Sequence, residues 1–221
     1  MQNFVEKANK NGSFPFILGS GSPRRRELLG QIISDFSVEV SDAEEIYSHP
    51  KGTLALVMEN ARLKGSSVAQ SNMQNWVLGA DTLVALEERI LGKPKSIGEA
   101  VDMLQFLSGQ THQVSTGLCL INRTLDYEET RVETSQVTFK EINDSTIEEY
   151  FKEVNPLDKA GGYAIQTRPD LIIESFEGSH SNVIGLPVQM LGQWLAELDS
   201  IYLKSSVASE CSIFSITFFL D

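Results

Sequence analysis

A chain of 221 residues, 41% hydrophobic and 22% charged, has the apolar material for one globular domain or a two-lobed one. Its net charge of −12 argues against binding nucleic-acid polymers or anionic membranes through bulk charge, though a local basic pocket for a small anion stays open. Cys119 and Cys211 give neither zinc spacing nor a disulfide framework, no run reaches the ~20 apolar residues of a membrane span, and the N-terminus lacks a signal peptide's apolar core, so a reducing cytoplasm is the expected compartment.

Residues 1–15 are polar and read as a leader. Ile17-Leu18-Gly19 is a short strand, Ser20-Gly21-Ser22 a small-residue turn, and a helix follows with Ser22 as N-cap and Pro23 in its first position. Arg24, Arg25 and Arg26 then crowd the first turn, where each cation is unfavourable by about 0.3–1 kcal/mol. An anion on the helix start would reverse that sign, so this stretch is a candidate phosphate site; the alternative is a solvated basic turn. Phe36 to Val40 alternates like a half-buried strand and runs into Asp42-Ala43-Glu44-Glu45, an acidic cluster that could equally be a solvated loop. Leu54, Val57, Met58, Ala61 and Val68 mark a helix with Lys64 near the edge of its apolar stripe.

Trp76 to Ala80 reads as a short apolar strand with Asp81-Thr82 directly after it. A carboxylate at the end of a buried strand needs a partner or a cation, and strand ends are where α/β folds bind ligands; a turn cap is the alternative. Leu83 to Ile90 suggests a hairpin turning at Glu87-Glu88, and Lys93 follows on a Gly-Lys-Pro loop. Ser96 and Glu99 open a helix that ends at Ser108-Gly109. His112–Ile121 and Glu128–Phe139 are two long strands, Ser145 and Glu148 cap a further helix, Leu171–Phe176 is a strand, and a final helix after Pro187 turns Val188, Leu191 and Leu195 inward. Paired long strands among interleaved helices predict an α/β fold with a mixed sheet.

The chemistry-bearing residues share a theme. Arg24 to Arg26, Lys64, Lys93 and Lys159 are cations on turns or helix edges, and Glu44 and Asp81 are hard oxygen ligands suited to Mg²⁺ or Mn²⁺. Together they suit a polyphosphate substrate, with a carboxylate available as base for an attacking water.

In order along the chain stand Ser20-Gly21-Ser22-Pro23-Arg24-Arg25, Glu44-Glu45, Glu59-Asn60-Ala61-Arg62-Leu63-Lys64, Gly79-Ala80-Asp81-Thr82, Gly92-Lys93-Pro94, Leu107 to His112, Asp158-Lys159-Ala160-Gly161-Gly162-Tyr163, Ile165-Gln166 and Val183 to Pro187. With these segments the chain resembles the Maf family of nucleoside triphosphate pyrophosphatases from about Ile17 to about Leu198. The resemblance implies an inosine-triphosphatase-like α/β fold of two lobes around a long mixed β-sheet with flanking helices and a nucleotide cleft between the lobes. The domain would span 16–200, and 201–221 would be a C-terminal extension without counterpart.

It also implies hydrolysis of a nucleoside triphosphate between the α and β phosphates, with a divalent metal, Mg²⁺ or Mn²⁺, as cofactor. Asp81 would be the catalytic proton acceptor, and Glu44 with Asp81 the metal ligands. Ser20, Ser22, Arg25, Lys64, Lys93 and Lys159 would bind phosphates. Arg24, Thr82 and Gln166 stand where the family selects its base, and they match the branch that prefers dTTP and UTP rather than the one that takes 7-methyl-GTP. Modified pyrimidine nucleotides and a house-cleaning role extend that expectation, and relatives often form homodimers. Ala164, where bacterial relatives more often carry Gly, departs mildly from the pattern. Two rival readings remain: a sugar-phosphate nucleotidyltransferase, and a catalytically idle nucleotide sensor in cell division and septum formation.

Overall fold

The computed structural model describes residues 15–200; the expected leader and C-terminal extension, with Cys211, lie outside the described residues. The elements are β1 (Phe16–Gly19), α1 (Pro23–Leu29), β2 (Phe36–Val38), α2 (Thr53–Ser71), β3 (Trp76–Leu86), β4 (Arg89–Leu91), α3 (Ile97–Leu107), β5 (Thr111–Asn122), β6 (Tyr127–Phe139), α4 (Asp144–Phe151), α5 (Pro169–Ile172), β7 (Ile173–Glu177), α6 (His180–Ile184) and α7 (188–200).

One sheet of seven strands carries the fold, in the order β2-β1-β3-β5-β6-β7 with β4 also on β3. The β1/β2 and β1/β3 pairs are parallel and the rest antiparallel, so the sheet is mixed as expected. Period-two alternation sorts β3. Its even residues Trp76, Leu78 and Ala80 join Phe16, Leu18, Leu118 and Trp194 in one core under α1 and α7. Further along the same face, Val84 and Leu86 join Leu104, Val114, Phe139 and Tyr150 in a second core under α3 and α4. These two cores are the two lobes, and β3 and β5 run through both. The odd residue Val77 packs with Ile17, Ala61, Val68, Cys119 and Ile121 beneath α2.

The strand carrying Asp81 is longer than the sequence suggests. Asp81 stands in the middle of β3, not beyond its end, because β5 pairs with β3 continuously from Val77 to Ala85. On the other edge, β1 stops at Gly19 opposite Gly79 and β4 ends at Leu91 opposite Val84. Residues 80–83 therefore have no strand beside them on that edge, and this gap lies where the two lobes meet.

α2 lies directly on the sheet because glycines face it. A Cβ on Gly79 would collide with the Ala61 carbonyl and stand 2.5 Å from the Gly65 nitrogen, and one on Gly117 would stand 2.6 Å from the Val57 carbonyl. Since those contacts are backbone, no rotamer change relieves them. Gly79→Ala is expected to destabilise the fold by about 3 kcal/mol or more, read as a lower urea midpoint; an unchanged midpoint would show that α2 can lift off the sheet freely.

Three local expectations shift. Asn143 caps α4, its Oδ1 accepting from the Thr146 nitrogen at 3.0 Å, in place of Ser145. Pro169 and Asp170 start a turn of helix, so the strand expected over Leu171–Phe176 is β7, Ile173–Glu177. Leu54 is exposed, and the buried stripe of α2 instead includes Leu56, Asn60 and Gly65.

Candidate active site

The gap in the sheet exposes one edge of β3, and the functional side chains gather on both faces there. On the α2 face, Asn60 and Lys64 are one helical turn apart and both reach Asp81. Lys64 Nζ lies 2.6 Å from Asp81 Oδ1, and Asn60 Nδ2 lies 3.5 Å from Oδ2. Asn60 is itself fixed by the Ile46 backbone, accepting from its nitrogen at 2.9 Å and donating to its carbonyl at 3.0 Å. That clasp holds the loop after β2 against α2 and delivers Glu45, whose Oε1 is 2.6 Å from the same Lys64 nitrogen.

The carboxylate that shares Lys64 with Asp81 is therefore Glu45, whereas the expected metal ligand, Glu44, is exposed and has no hydrogen bond or ion pair to the site residues among the described residues. Partial burial pushes the Glu45 pKa up. The Lys64 hydrogen bond and charge, helped by Lys93 and Arg25, outweigh it and hold Glu45 below the usual carboxylate range.

On the opposite face, Thr82 lies between the two cores. The three consecutive arginines diverge, because successive helical residues point about 100° apart. Arg24 reaches across to the loop before Ala160, donating to Asp158 Oδ2 at 3.0 Å and to the Asp158 carbonyl at 3.2 Å. Arg25 turns inward and donates to Ser20 Oγ at 3.0 Å, Thr82 Oγ1 at 2.9 Å and the Gly185 carbonyl at 2.9 Å. Desolvation pushes the Arg25 pKa down, with nearby Arg24 adding to it and Asp81 opposing. Arg26 is exposed and lines an open cavity of about 820 Å³ with Ser20, Gly21, Ser22 and Pro23. Ser22 caps α1 as expected, its Oγ accepting from the Arg25 nitrogen at 3.4 Å.

The remaining cations arrive on joined loops. The Gly161 nitrogen donates to the Gly92 carbonyl at 3.0 Å, tying the Lys93 loop to the Lys159 loop. Gly161 and Gly162 both take positive φ, 70° and 74°, conformations open to glycine at little cost. Lys159 donates to the Asn155 carbonyl at 2.8 Å and to Asp158 Oδ1 at 2.6 Å. Lys93 and Gln166 are exposed, and among the described residues neither side chain has a hydrogen-bond partner. Asn60, Asp158 and the Gly185 carbonyl are site groups to which the sequence assigns no role. Asn60 was findable from its place four residues before Lys64; the other two depend on contacts between distant segments.

A ring cluster supports the Lys159 and Gln166 loop. His112, Phe139 and Tyr163 pack edge to face, and His112 Nε2 is 2.7 Å from the Tyr163 hydroxyl. Burial pushes the His112 pKa from 6.5 to about 4. Between those values the unfolded chain binds more protons than the folded one. This contribution is thus complete above about pH 6.5 and is lost as pH falls towards 4, amounting to about 3 kcal/mol. Urea titrations from pH 7 to 4 are expected to show that decline and His112→Gln to flatten it; an equal slope in the variant would exclude His112 as its source.

Among the described residues no group of three or more His, Cys, Asp or Glu side chains gathers as a metal site. Two carboxylates, Asp81 and Glu45, do meet at one ammonium group. Two carboxylates completed by phosphate oxygens and water are a donor set that Mg²⁺ accepts, so the residues fit a substrate-assisted divalent site. Among the described residues no helix is long and apolar enough to cross a membrane. Cys119 is a buried free thiol whose pKa burial pushes up to about 12, in keeping with a core residue.

Residues 15–198 match the family model described as Maf-like protein. The chain is 43% identical over 185 residues to a protein of Bacillus cytotoxicus named dTTP/UTP pyrophosphatase, covering 84% of this chain and 96% of the relative. It is 42% identical over 183 residues to a protein of the same name from Bacillus cereus strain G9842, covering 83% and 95%. The solved structure of the Staphylococcus aureus Ham1 protein superposes with a TM-score of 0.51 at 17% identity, covering 83% of this chain and 98% of that one, a likeness of fold.

Proposed function

The chain belongs to the Maf-like protein family, and from that premise we propose that it is a nucleoside triphosphate pyrophosphatase that hydrolyses dTTP and UTP to the monophosphate and pyrophosphate. The observation that carries the reading is the meeting of Asp81, Lys64 and Glu45 at the open edge of β3, with Arg25 and Lys93 near enough for their charges to act on Glu45. The names of the relatives point the same way.

In this mechanism Asp81 takes the proton of the attacking water, held in place by Lys64 on one oxygen and Asn60 on the other. Lys93, exposed and without a hydrogen-bond partner among the described residues, and Lys159, held by Asp158, meet the phosphate chain. Arg25 keeps the Ser20 hydroxyl and Thr82 in fixed relation beside it and offsets developing charge. A divalent cation, Mg²⁺ or Mn²⁺, held by Asp81 and Glu45 would neutralise charge on the phosphates when bound. Arg24, Thr82 and Gln166 select the base, and the Gln166 amide can both donate to and accept from a pyrimidine edge. Modified pyrimidine nucleotides fall within the same selection, and a reducing cytoplasm suits the buried free thiol of Cys119.

Pyrophosphate release from a panel of nucleoside triphosphates with Mg²⁺ or Mn²⁺ tests the reading. Preferential turnover of dTTP and UTP is expected. Nucleotide binding without release on any member would overturn it in favour of a nucleotide sensor.

A further inference from the structure

The seam between the two cores is closed by a line of polar groups. On the even face of β3, Thr82 falls between Ala80 of one core and Val84 of the other. On β5 its register partner Thr116 falls likewise between Leu118 and Val114, and it is completely buried. Arg25 Nη2 is 2.9 Å from Thr82 Oγ1, Thr82 Oγ1 is 2.9 Å from Thr116 Oγ1, and Thr116 Oγ1 is 3.1 Å from the Asn182 carbonyl. Asn182 is fully buried and is anchored by both amide hydrogens, one on the Val114 carbonyl and one on Ser135 Oγ, each at 2.9 Å.

The hydrogens in this line have one consistent arrangement. A carbonyl accepts and a guanidinium donates, and a hydroxyl has one hydrogen and two lone pairs. Thr116 therefore spends its hydrogen on the Asn182 carbonyl, so the hydrogen between the two threonines belongs to Thr82. Arg25 occupies one lone pair of Thr82. What Thr82 has left, beside Asp81 in the gap of the sheet, is a single accepting lone pair.

We infer that Thr116 is a specificity-positioning residue: by taking the Thr82 hydrogen, it makes Thr82 an acceptor alone towards a bound nucleobase. This rests on the pyrophosphatase reading above and on Thr82 facing the base. The group selected is a ring N–H flanked by carbonyls, as in uracil and thymine. Cytosine presents a lone pair at the same ring position, so two acceptors would meet and the hydrogen bond would be lost.

The test is kcat/KM for UTP and CTP with the unmodified protein, Thr116→Val and Thr116→Ser. Thr116→Val keeps the side-chain shape but frees the Thr82 hydrogen. Its UTP-over-CTP ratio is expected to fall by about tenfold or more, with kcat on UTP largely kept and the ratio restored by Thr116→Ser. A ratio unchanged in Thr116→Val, or equal losses on both substrates, would overturn the inference. Should Thr116→Val not fold, the unmodified protein decides with N3-methyl-UTP, which lacks the ring N–H. Turnover at least about tenfold poorer than UTP supports the inference, and equal turnover overturns it. If the unmodified protein turns over neither UTP nor CTP, the pyrophosphatase reading fails, and the same ratio read from calorimetric binding of the two nucleotides still decides the role of Thr116.

Discussion

Asp81→Asn is expected to cut pyrophosphate release by roughly 10²–10⁴-fold while leaving the fold and nucleotide binding in place. The side chain is 8% exposed and is held by Asn60 and Lys64 of α2, so an amide of the same shape fills the same space. Its oxygen can still accept from Lys64. What disappears is a charge and a basic lone pair, the two properties that a proton acceptor needs. Separate readouts keep the roles apart: kcat for the chemistry, calorimetric titration with UTP for binding, and a thermal melt for the fold. An unchanged kcat would remove Asp81 from the base role, and a joint collapse of all three would make it a structural acid.

The strand–turn–helix opening, the long β5/β6 pair and the mixed sheet were legible because each has a local signal: caps, turn residues, or apolar period. The true extent of β3 was not. An acid after five apolar residues reads as a strand end, and only β5, paired out to Ala85, shows that the strand continues. The gap beside residues 80–83 depends on where β1 and β4 each stop, two facts held in different segments. The choice between Glu44 and Glu45 was equally invisible. Neighbouring acids in a loop without period differ only in which one the Asn60 clasp on Ile46 turns towards Lys64. The arginine run was legible only in part. Separate roles for Arg24 and Arg25 came from the resemblance, but their directions did not: a helix cannot aim consecutive side chains at one target, so Arg24 meets Asp158, Arg25 turns to Ser20 and Thr82, and Arg26 stays exposed.

Lys64→Met should be the second most damaging change, lowering turnover by roughly 10²–10³-fold. The ammonium group touches Asp81 and Glu45 at 2.6 Å each, so a neutral side chain leaves two carboxylates facing one another with no charge between them. The pH dependence of stability carries the signature. Desolvation acts to raise the Glu45 pKa, and Lys64 is the chief influence holding it below its ordinary value of 4.5. A depressed carboxylate pKa contributes stability above the unfolded value and loses it as pH falls through the folded value. The stability gap between the unmodified protein and Lys64→Met should thus be widest above about pH 4.5 and close in stronger acid, where Glu45 is protonated in both. Lys64→Arg keeps the charge, but it swaps a compact ammonium for a planar fork; it should recover most of the stability gap and less of the turnover. Urea midpoints from pH 7 to 3 beside kcat at pH 7 measure both. A gap independent of pH would mean that Lys64 supports the fold through its packed stem, with Glu45 an onlooker. A gap that closes in acid while turnover stays intact would keep the ion pair and deny Lys64 its part in the chemistry.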